Sequence, residues 1–321
     1  MKLETIDMQS LKSKIILGLM VNRHLFRGKL RKQAFDPSPE GVRKLRELTE
    51  KGGKMFGKLP PGVEIVPVSI GQMGAEWMKL PENNVQKATL YFHGGMYVTG
   101  SAELHRPHVV KFVKGSGINA LIFSYRLAPE NPFPAALNDA LAAYRYLLEN
   151  GFEAQNIVFA GDSAGAGLCL ATLLAIKDEG IALPAAAAVL SPWTDLARTG
   201  ESYISNVEKC LSPKGSSENA SAFYAGGNDK RNPYISPLYG DLKGLPPLHI
   251  SAGSNEILRD DSIRFAEKAQ KAGVDVTLLV GEGMCHCYPA FGNLFRESKQ
   301  ALAEICDFLK FHASSWSLLS R

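Results

Sequence analysis

The sequence predicts an α/β fold in which a mostly parallel central sheet of about eight strands is flanked by helices and covered by a helical cap. Short apolar runs alternate with amphipathic stretches along most of the chain. The runs are apolar at consecutive positions, which is typical of strands buried on both faces of a parallel sheet. Two other regions interrupt this alternation with helix-like sequence, and they supply the predicted cap.

Apolar runs bounded by turn-forming residues are the predicted strands. In chain order they are Val63–Ile70, Ala88–His93, Asn119–Tyr125, Asn156–Gly161, Ala185–Ser191, Pro246–Gly253 and Val274–Gly281. Because no helical pattern separates the first strands, we expect that edge of the sheet to be antiparallel.

Amphipathic patterns between and after these runs are the predicted helices of the core. They cover Glu103–Lys114, Ala135–Glu149, Ala164–Lys177, Leu258–Ala272 and Ser298–Phe311. A strand followed by a helix and then a parallel strand places the helices on the faces of the sheet. The alternation therefore predicts a sheet that is covered on both sides.

The two regions without this alternation lie at the N-terminus and in the middle of the chain. Residues 1–58 are helix-like and basic, and residues 196–232 contain helix-like pieces but no strand. We expect the first region to form the N-terminal part of the cap and the second to form a cap insertion. Residues 59–195 and 233–321 then make up the core.

Composition narrows the classes of function. The chain has 321 residues, of which 45% are hydrophobic, so it can bury a sizeable core. The net charge is only +4 and the basic residues are interspersed with acids, which argues against a nucleic-acid partner. The apolar stretch Ile15–Val21 is too short to span a bilayer and no cleavage site follows it. The chain has 5 cysteines, and an odd number favours a reducing compartment. Together these features predict a cytoplasmic protein without stable membrane association.

A serine between glycines is the first candidate for chemistry. Gly161-Asp162-Ser163-Ala164-Gly165 has the pattern G-x-S-x-G and lies directly between a predicted strand and a predicted helix. This arrangement is typical of a nucleophile elbow, a sharp turn that exposes the serine hydroxyl. The glycines are needed because side chains there would clash with the adjacent strand and helix. A phosphate-binding loop would require a Gly-Lys-Ser/Thr ending, which this stretch lacks.

The loop "HGGMYVTGS", from His93 to Ser101, follows the strand Ala88–His93. Acyl transfer needs amide donors aimed at the carbonyl oxygen as it becomes an oxyanion. A His-Gly-Gly loop at this point of the chain supplies them, together with the amide that follows the nucleophile. The candidate oxyanion-hole residues are therefore Gly94, Gly95, Met96 and Ala164. The alternative is an ordinary glycine turn.

Four stretches together carry a family resemblance. "HGGMYVTGS", "YRLAPENPFPAALNDALAAY", "GDSAGAG" and "SPWTDL" resemble the hormone-sensitive-lipase-like esterases, also called bacterial family IV carboxylesterases, of the α/β-hydrolase fold. The resemblance runs from about residue 60 to the C-terminus. It implies hydrolysis of a small-molecule carboxylic ester, usually with a short acyl chain, and no cofactor. It also implies a two-part cap. Because cap helices often mediate dimers, a homodimer is one expected arrangement.

The serine needs a base, and His286 is the candidate. It follows the last predicted strand, where the fold places its base, and it matches the histidine of the family. Cys285 and Cys287 flank it, but adjacent residues on an extended turn point in opposing directions and would chelate a metal ion poorly. We therefore expect no metal.

The other histidines have more ordinary interpretations. His93 belongs to the oxyanion loop, and His249 lies within a predicted strand and is expected in the core. Structural or solvent-facing positions are expected for the remaining ones, which are His24, His105, His108 and His312.

An acid must orient the base, and the fold places it between the serine and the histidine in the chain. Aligning Leu258 and Asp260 with the family's motif puts Glu256 at this position, where the family more often has aspartate. Asp260 and Asp261 are the alternatives. Both fall at a predicted helix start, where an acid that caps free amides is the structural interpretation.

Met96 is a second departure, because the family commonly has a third glycine there. Its amide is retained, but we expect its side chain to exclude conformations with positive φ and to fill space beside the acyl or alcohol pocket. Arg126, Asp139 and Asp195 match family motifs and are interpreted as residues that brace loops.

Two other functions remain open at this point. A ligand-binding relative, such as the plant gibberellin receptors, lacks the catalytic histidine, and His286 argues against that class. An amidase, a thioesterase or a long-chain lipase would use the same residues, because the shapes of cap and pocket decide between them.

Overall fold

A mostly parallel nine-stranded β-sheet forms the centre of the computed structural model, which describes residues 2–6, 9–22, 34–54 and 59–313. The strands are β1 Lys2–Ile6, β2 Glu64–Ile70, β3 Met73–Lys79, β4 Asn84–Phe92, β5 Ile118–Phe123, β6 Ile157–Asp162, β7 Ala186–Leu190, β8 Leu248–Gly253 and β9 Val276–Gly281. Their order in the sheet is β1-β9-β8-β7-β6-β4-β5-β3-β2. Only the pairs β2–β3 and β3–β5 are antiparallel, which confirms the expected antiparallel edge.

Two strands were not predicted from the sequence. Lys2–Ile6 pairs in parallel with β9, so the expectation of an entirely helical segment 1–58 is wrong at its start. Met73–Lys79 is the second arm of a hairpin that turns at Gly71, where φ is +59°. Both strands are short and mix polar with apolar residues, so neither stands out as an apolar run.

The five core helices expected from the sequence are all present, with ends that differ by at most two residues. The helix α5 that follows β6 is buried at every position from Ser163 to Ile176, because it packs between the sheet and other helices. The helices are α1 Leu11–Val21, α2 Pro39–Lys54, α3 Ala102–Ser116, α4 Ala135–Glu149, α5 Ser163–Asp178, α6 Ser202–Ser205, α7 Ser216–Ala225, α8 Arg259–Lys271 and α9 Arg296–His312.

Packing on the sheet explains the composition of its central strands. Every residue of β5 and β7 is buried, as expected for strands of a sheet that is covered on both faces. His249 of β8 is buried and its ring lies 5.6 Å from that of Phe308 in α9, so it is a core histidine as expected. None of the helices in the described part of the chain is long and apolar enough to cross a membrane.

The two regions expected to form the cap are in contact with each other. The amide of Phe35 donates to the carbonyl of Lys214 at 3.0 Å, and the rings of Phe35 and Phe223 are 6.5 Å apart. Phe223 belongs to α7, and Phe35 lies shortly before α2. These contacts join the segment before α2 to α7 and to the residues just before it.

Candidate active site

The turn between β6 and α5 places Ser163 at the carboxyl end of the sheet. Ser163 adopts φ +56°, a conformation that non-glycine residues rarely take. A Cβ atom at Gly165 would lie 2.2 Å from the carbonyl oxygen of Phe92 at the end of β4, and one at Gly161 would lie 3.0 Å from that oxygen. The close approach of α5 to β4 therefore requires glycine at 165 and leaves little room for a side chain at 161, in agreement with the steric reason inferred from the sequence.

Ser163, His286 and Glu256 are joined by hydrogen bonds. The Nε2 atom of His286 lies 2.9 Å from Oγ of Ser163, and its Nδ1 atom makes a short hydrogen bond with Oε2 of Glu256. The serine follows β6, the carboxylate follows β8 and the histidine follows β9. These strands lie within the run β9-β8-β7-β6 of the sheet, so their carboxyl ends converge on one point. This is the geometry of a nucleophile, a base and an orienting acid.

Glu256 is fully buried, and its second oxygen is also occupied. Oε1 accepts hydrogen bonds from the amide of Gly253 at 2.7 Å and from the hydroxyl of Ser191 at 2.8 Å. The Ser191 hydroxyl in turn accepts from the amide of Cys287 at 2.8 Å. The carboxylate is thus held in one orientation from β7, β8 and the loop that carries His286.

The surroundings of His286 favour its protonated imidazolium form. Burial disfavours its imidazolium form, but the adjacent Cys287 and the Glu256 carboxylate favour that form, so the pKa of His286 lies above its ordinary value. The Sγ atom of Cys287 lies 3.5 Å from Nε2 of His286. Burial raises the pKa of the Cys287 thiol, and the nearby His286 lowers it in part, so the two groups influence each other.

Asp260 and Asp261, the alternative candidates for the orienting acid, form hydrogen bonds with other segments of the chain. Asp260 accepts from the amide of Ser202 at 2.8 Å, and Asp261 accepts from the amides of Thr194 and Asp195 at 3.0 and 2.8 Å. Their hydrogen bonds therefore hold the chain between β7 and α6. The expectation that they cap the amides of their own helix is wrong, because these acids turn toward a segment that is distant in sequence.

The candidate oxyanion hole differs from the expectation at Gly94. Its amide donates to Oδ1 of Asp162 at 3.1 Å, so it is not available to a substrate oxygen, and its assignment as a donor is wrong. A Cβ at Gly94 would lie 2.2 Å from the Asp162 carboxylate, which explains why glycine stands there. The amides of Gly95, Met96 and Ala164 remain as candidates.

The backbone of the oxyanion loop has positive φ angles at consecutive residues. The values are +128° at Gly95, +60° at Met96 and +61° at Tyr97. The expectation that the Met96 side chain would exclude positive φ is therefore wrong, and the loop holds Met96 in a conformation that favours glycine. Its side chain is half-buried and packs against the main core.

Two functional neighbours were missed by the sequence reasoning. Asp162, just before the nucleophile, accepts from the Gly94 amide and from the hydroxyl of Tyr91 at 3.0 Å. Ser191 orients Glu256, as described above. Each lies in a motif that was recognised, "GDSAGAG" and "SPWTDL", but the sequence does not show which partner each hydroxyl or carboxylate meets.

The other described histidines have structural positions. Burial and the nearby His105 lower the pKa of His93 to about 3, and His93 stacks on Tyr125 at 4.1 Å under the oxyanion loop. Burial lowers the pKa of His108 to about 4. The ring of His312 lies 4.5 Å from that of Phe308. His24 lies outside the described residues.

The residues expected to brace loops do so. Arg126 forms an ion pair with Asp139 at 2.8 Å. Asp195 is fully buried and accepts from Thr199, Tyr239 and Arg264. Among residues 2–6, 9–22, 34–54 and 59–313, no group of three histidine, cysteine or acidic side chains is arranged to hold a metal ion.

Comparison with known proteins agrees with this geometry. Residues 89–290 match a family described as having the α/β-hydrolase fold. An acetyl-hydrolase of Streptomyces hygroscopicus is 40% identical over 264 residues, which cover 81% of this chain and 87% of that protein. The chain belongs to the hormone-sensitive-lipase-like carboxylesterases of the α/β-hydrolase fold.

Further relatives support this family. An esterase of Acinetobacter venetianus is 34% identical over 82% of this chain and 87% of its own. The crystal structure of an esterase from the bacterial hormone-sensitive lipase family is similar with a TM-score of 0.85 at 36% identity, and the match covers 96% of this chain and all of that one. As a member of this family, the protein is a carboxylic ester hydrolase.

The raised pKa of His286 predicts the pH dependence of hydrolysis. A neutral imidazole must accept the serine proton, so kcat/KM should fall as the pH is lowered, with a midpoint above about 6.5, the ordinary value for histidine. Glu256→Gln removes the neighbouring charge and should move the midpoint of the residual activity to lower pH. The measurement is kcat/KM for a soluble ester as a function of pH, and a profile that is flat between about pH 5 and pH 8 would contradict this role of His286.

Proposed function

We propose that this enzyme hydrolyses short- to medium-chain carboxylic esters through an acyl-enzyme intermediate on Ser163. The observation that carries the proposal is the continuous hydrogen-bonded chain from Ser163 through His286 to the buried Glu256. Oγ of Ser163 attacks the ester carbonyl while Nε2 of His286 takes its proton. Glu256 holds the histidine in the tautomer that leaves Nε2 free to accept, and it stabilises the imidazolium that forms.

The tetrahedral intermediate requires donors for its oxyanion. We assign this role to the amides of Gly95, Met96 and Ala164. Ala164 lies in the first turn of α5, where backbone amides have no partner within the helix and the helix dipole favours negative charge. The imidazolium of His286 then protonates the leaving alcohol, and a water molecule activated by the same histidine hydrolyses the acyl-enzyme.

A preference for small esters is supported by two features. The half-buried Met96 side chain occupies a position beside the proposed oxyanion hole that is often glycine in the family, so it reduces the space there. The related Streptomyces protein carries the name acetyl-hydrolase. Contacts in an apolar pocket discriminate at ~1–3 kcal/mol per methylene, and chains that do not fit are penalised by overpacking.

A reducing compartment is part of the proposal. All of the cysteines are free thiols, and four of them are buried: Cys169, Cys210, Cys285 and Cys306. Free buried cysteines are typical of cytoplasmic proteins, so we place the enzyme in the cytoplasm.

Substitutions in the proposed triad test the mechanism. Ser163→Ala should lower kcat by at least about a thousandfold, because loss of one member of a catalytic triad removes most of the catalysis that the triad provides. Glu256→Gln should lower kcat by up to ~10⁴ with the fold retained, because it favours the wrong histidine tautomer. The measurement is kcat and KM on a panel of ester, amide and thioester substrates, with unfolding followed in parallel.

Asp260→Asn is the matched control for Glu256→Gln, since it changes an acid four residues away in the same way. It weakens a hydrogen bond to the amide of Ser202, so we expect a loss of stability of about 1 kcal/mol and kcat close to that of the wild type. An inactive Asp260→Asn together with an active Glu256→Gln would show that the acid is assigned incorrectly.

The Met96 side chain should limit the size of the alcohol. Esters of tertiary alcohols carry a branched group on the ester oxygen, so tert-butyl acetate should be a poor substrate compared with ethyl acetate. Met96→Gly removes the side chain and should raise kcat/KM for tert-butyl acetate relative to ethyl acetate. If the wild type hydrolyses both esters equally well, Met96 does not border the pocket.

A further inference from the structure

The oxyanion loop contains a backbone conformation that needs external support. Met96 and Tyr97 are consecutive residues with side chains, and both have φ near +60°. This region of φ disfavours residues with a Cβ, and such conformations persist only when the surrounding structure holds them. The contacts that hold this pair therefore decide where the amides of Gly95 and Met96 point.

Arg46 of α2 binds the loop directly. Its Nε atom donates to the carbonyl of Val98 at 2.8 Å, and Nη2 donates to the carbonyl of Ala128 at 3.0 Å. The guanidinium also forms an ion pair with Glu130 at 2.7 Å, which fixes its plane. Because the amide of Ala128 donates to the carbonyl of Tyr97 at 2.9 Å, Arg46 joins both sides of the strained turn.

Tyr224 of α7 holds the same turn through its ring. The rings of Tyr97 and Tyr224 are stacked at 3.7 Å with planes 7° apart, and both side chains are buried. The hydroxyl of Tyr224 has no hydrogen-bond partner among the described residues, so the contact depends on the ring and not on the hydroxyl. The turn is thus contacted by α2 at Val98 and by α7 at Tyr97.

We propose that Arg46 and Tyr224 are positioning residues, which hold the Met96–Tyr97 turn so that α2 and α7 complete the oxyanion hole. This inference rests on the proposed function, because it concerns the donors that face the oxyanion. Without these contacts the turn relaxes toward negative φ, and the amides of Gly95 and Met96 rotate away from the substrate oxygen. Such donors act mainly on the transition state, so their displacement lowers kcat more than it changes KM.

The chain offers matched controls for both contacts. Arg43 lies three residues before Arg46 in α2. It is exposed and, among the described residues, forms ion pairs only with Glu40 and Glu47 of its own helix. Arg43→Met therefore controls for Arg46→Met. Tyr224→Phe retains the stacked ring and removes only the hydroxyl, so it is the conservative counterpart of Tyr224→Leu.

The first experiment measures kcat and KM of the full-length variants with p-nitrophenyl butyrate. Arg46→Met and Tyr224→Leu should each lower kcat by at least about tenfold with KM changed by less than about threefold, because the defect lies in the alignment of donors. Arg43→Met should leave both constants unchanged, and Tyr224→Phe should retain most of kcat.

The second experiment separates positioning from a general loss of stability. Met96→Gly removes the Cβ that disfavours φ +60°, so the turn depends less on external support. The loss of kcat caused by Arg46→Met should therefore be at least about fivefold smaller in the Met96→Gly background. A variant that merely destabilised the protein would lose the same factor in both backgrounds.

The outcomes distinguish this inference from the proposed function. An active wild type in which Arg46→Met raises only KM, or loses equal factors of kcat in both backgrounds, would overturn the positioning role alone. A wild type without Ser163-dependent hydrolysis would overturn the proposed function and this inference together. If Arg46→Met does not fold, the comparison of Tyr224→Leu with Tyr224→Phe in the two backgrounds decides by the same criterion.

Discussion

The close approach of α5 to the end of β4 is the constraint on which the site depends. The carbonyl oxygen of Phe92 lies 2.2 Å from where a Cβ of Gly165 would be, so only glycine permits this approach beside the sharp turn that holds Ser163 at φ +56°. The same approach brings Asp162 to the Gly94 amide, so it fixes the oxyanion loop against the nucleophile. One steric contact thus aligns the nucleophile, the first turn of α5 and the loop that faces it.

A buried carboxylate is the second organising feature. An unpaired Glu256 in this environment would be costly, and its carboxylate has three hydrogen-bond partners, which are His286, Gly253 and Ser191. The amide of Cys287 supports them by donating to the Ser191 hydroxyl. These partners belong to the ends of β7, β8 and β9, so the orientation of the histidine depends on the register of three strands. Both oxygens of the glutamate are held, so its longer side chain keeps one orientation.

The sequence predicted the parts of the site that are determined locally. The elbow around Ser163, the alternation of strands and helices, and the position of His286 follow from motifs and chain order. The choice of Glu256 over Asp260 and Asp261 came from the family resemblance. The amide of Gly94, the positive φ of Met96 and the partners of Asp260 and Asp261 could not be predicted, because contacts between distant segments decide them. The strand Lys2–Ile6 was missed for a similar reason, since its pairing with β9 lies almost the whole chain away.

The most direct test of the account is covalent labelling with a p-nitrophenyl alkylphosphonate, which mimics the tetrahedral intermediate. The account predicts a single adduct that peptide mapping places on Ser163, with esterase activity lost in proportion to the p-nitrophenol released. Ser163→Ala should take up no label. Full hydrolytic activity after labelling, or an adduct on Cys287 in place of Ser163, would contradict the assignment of the nucleophile.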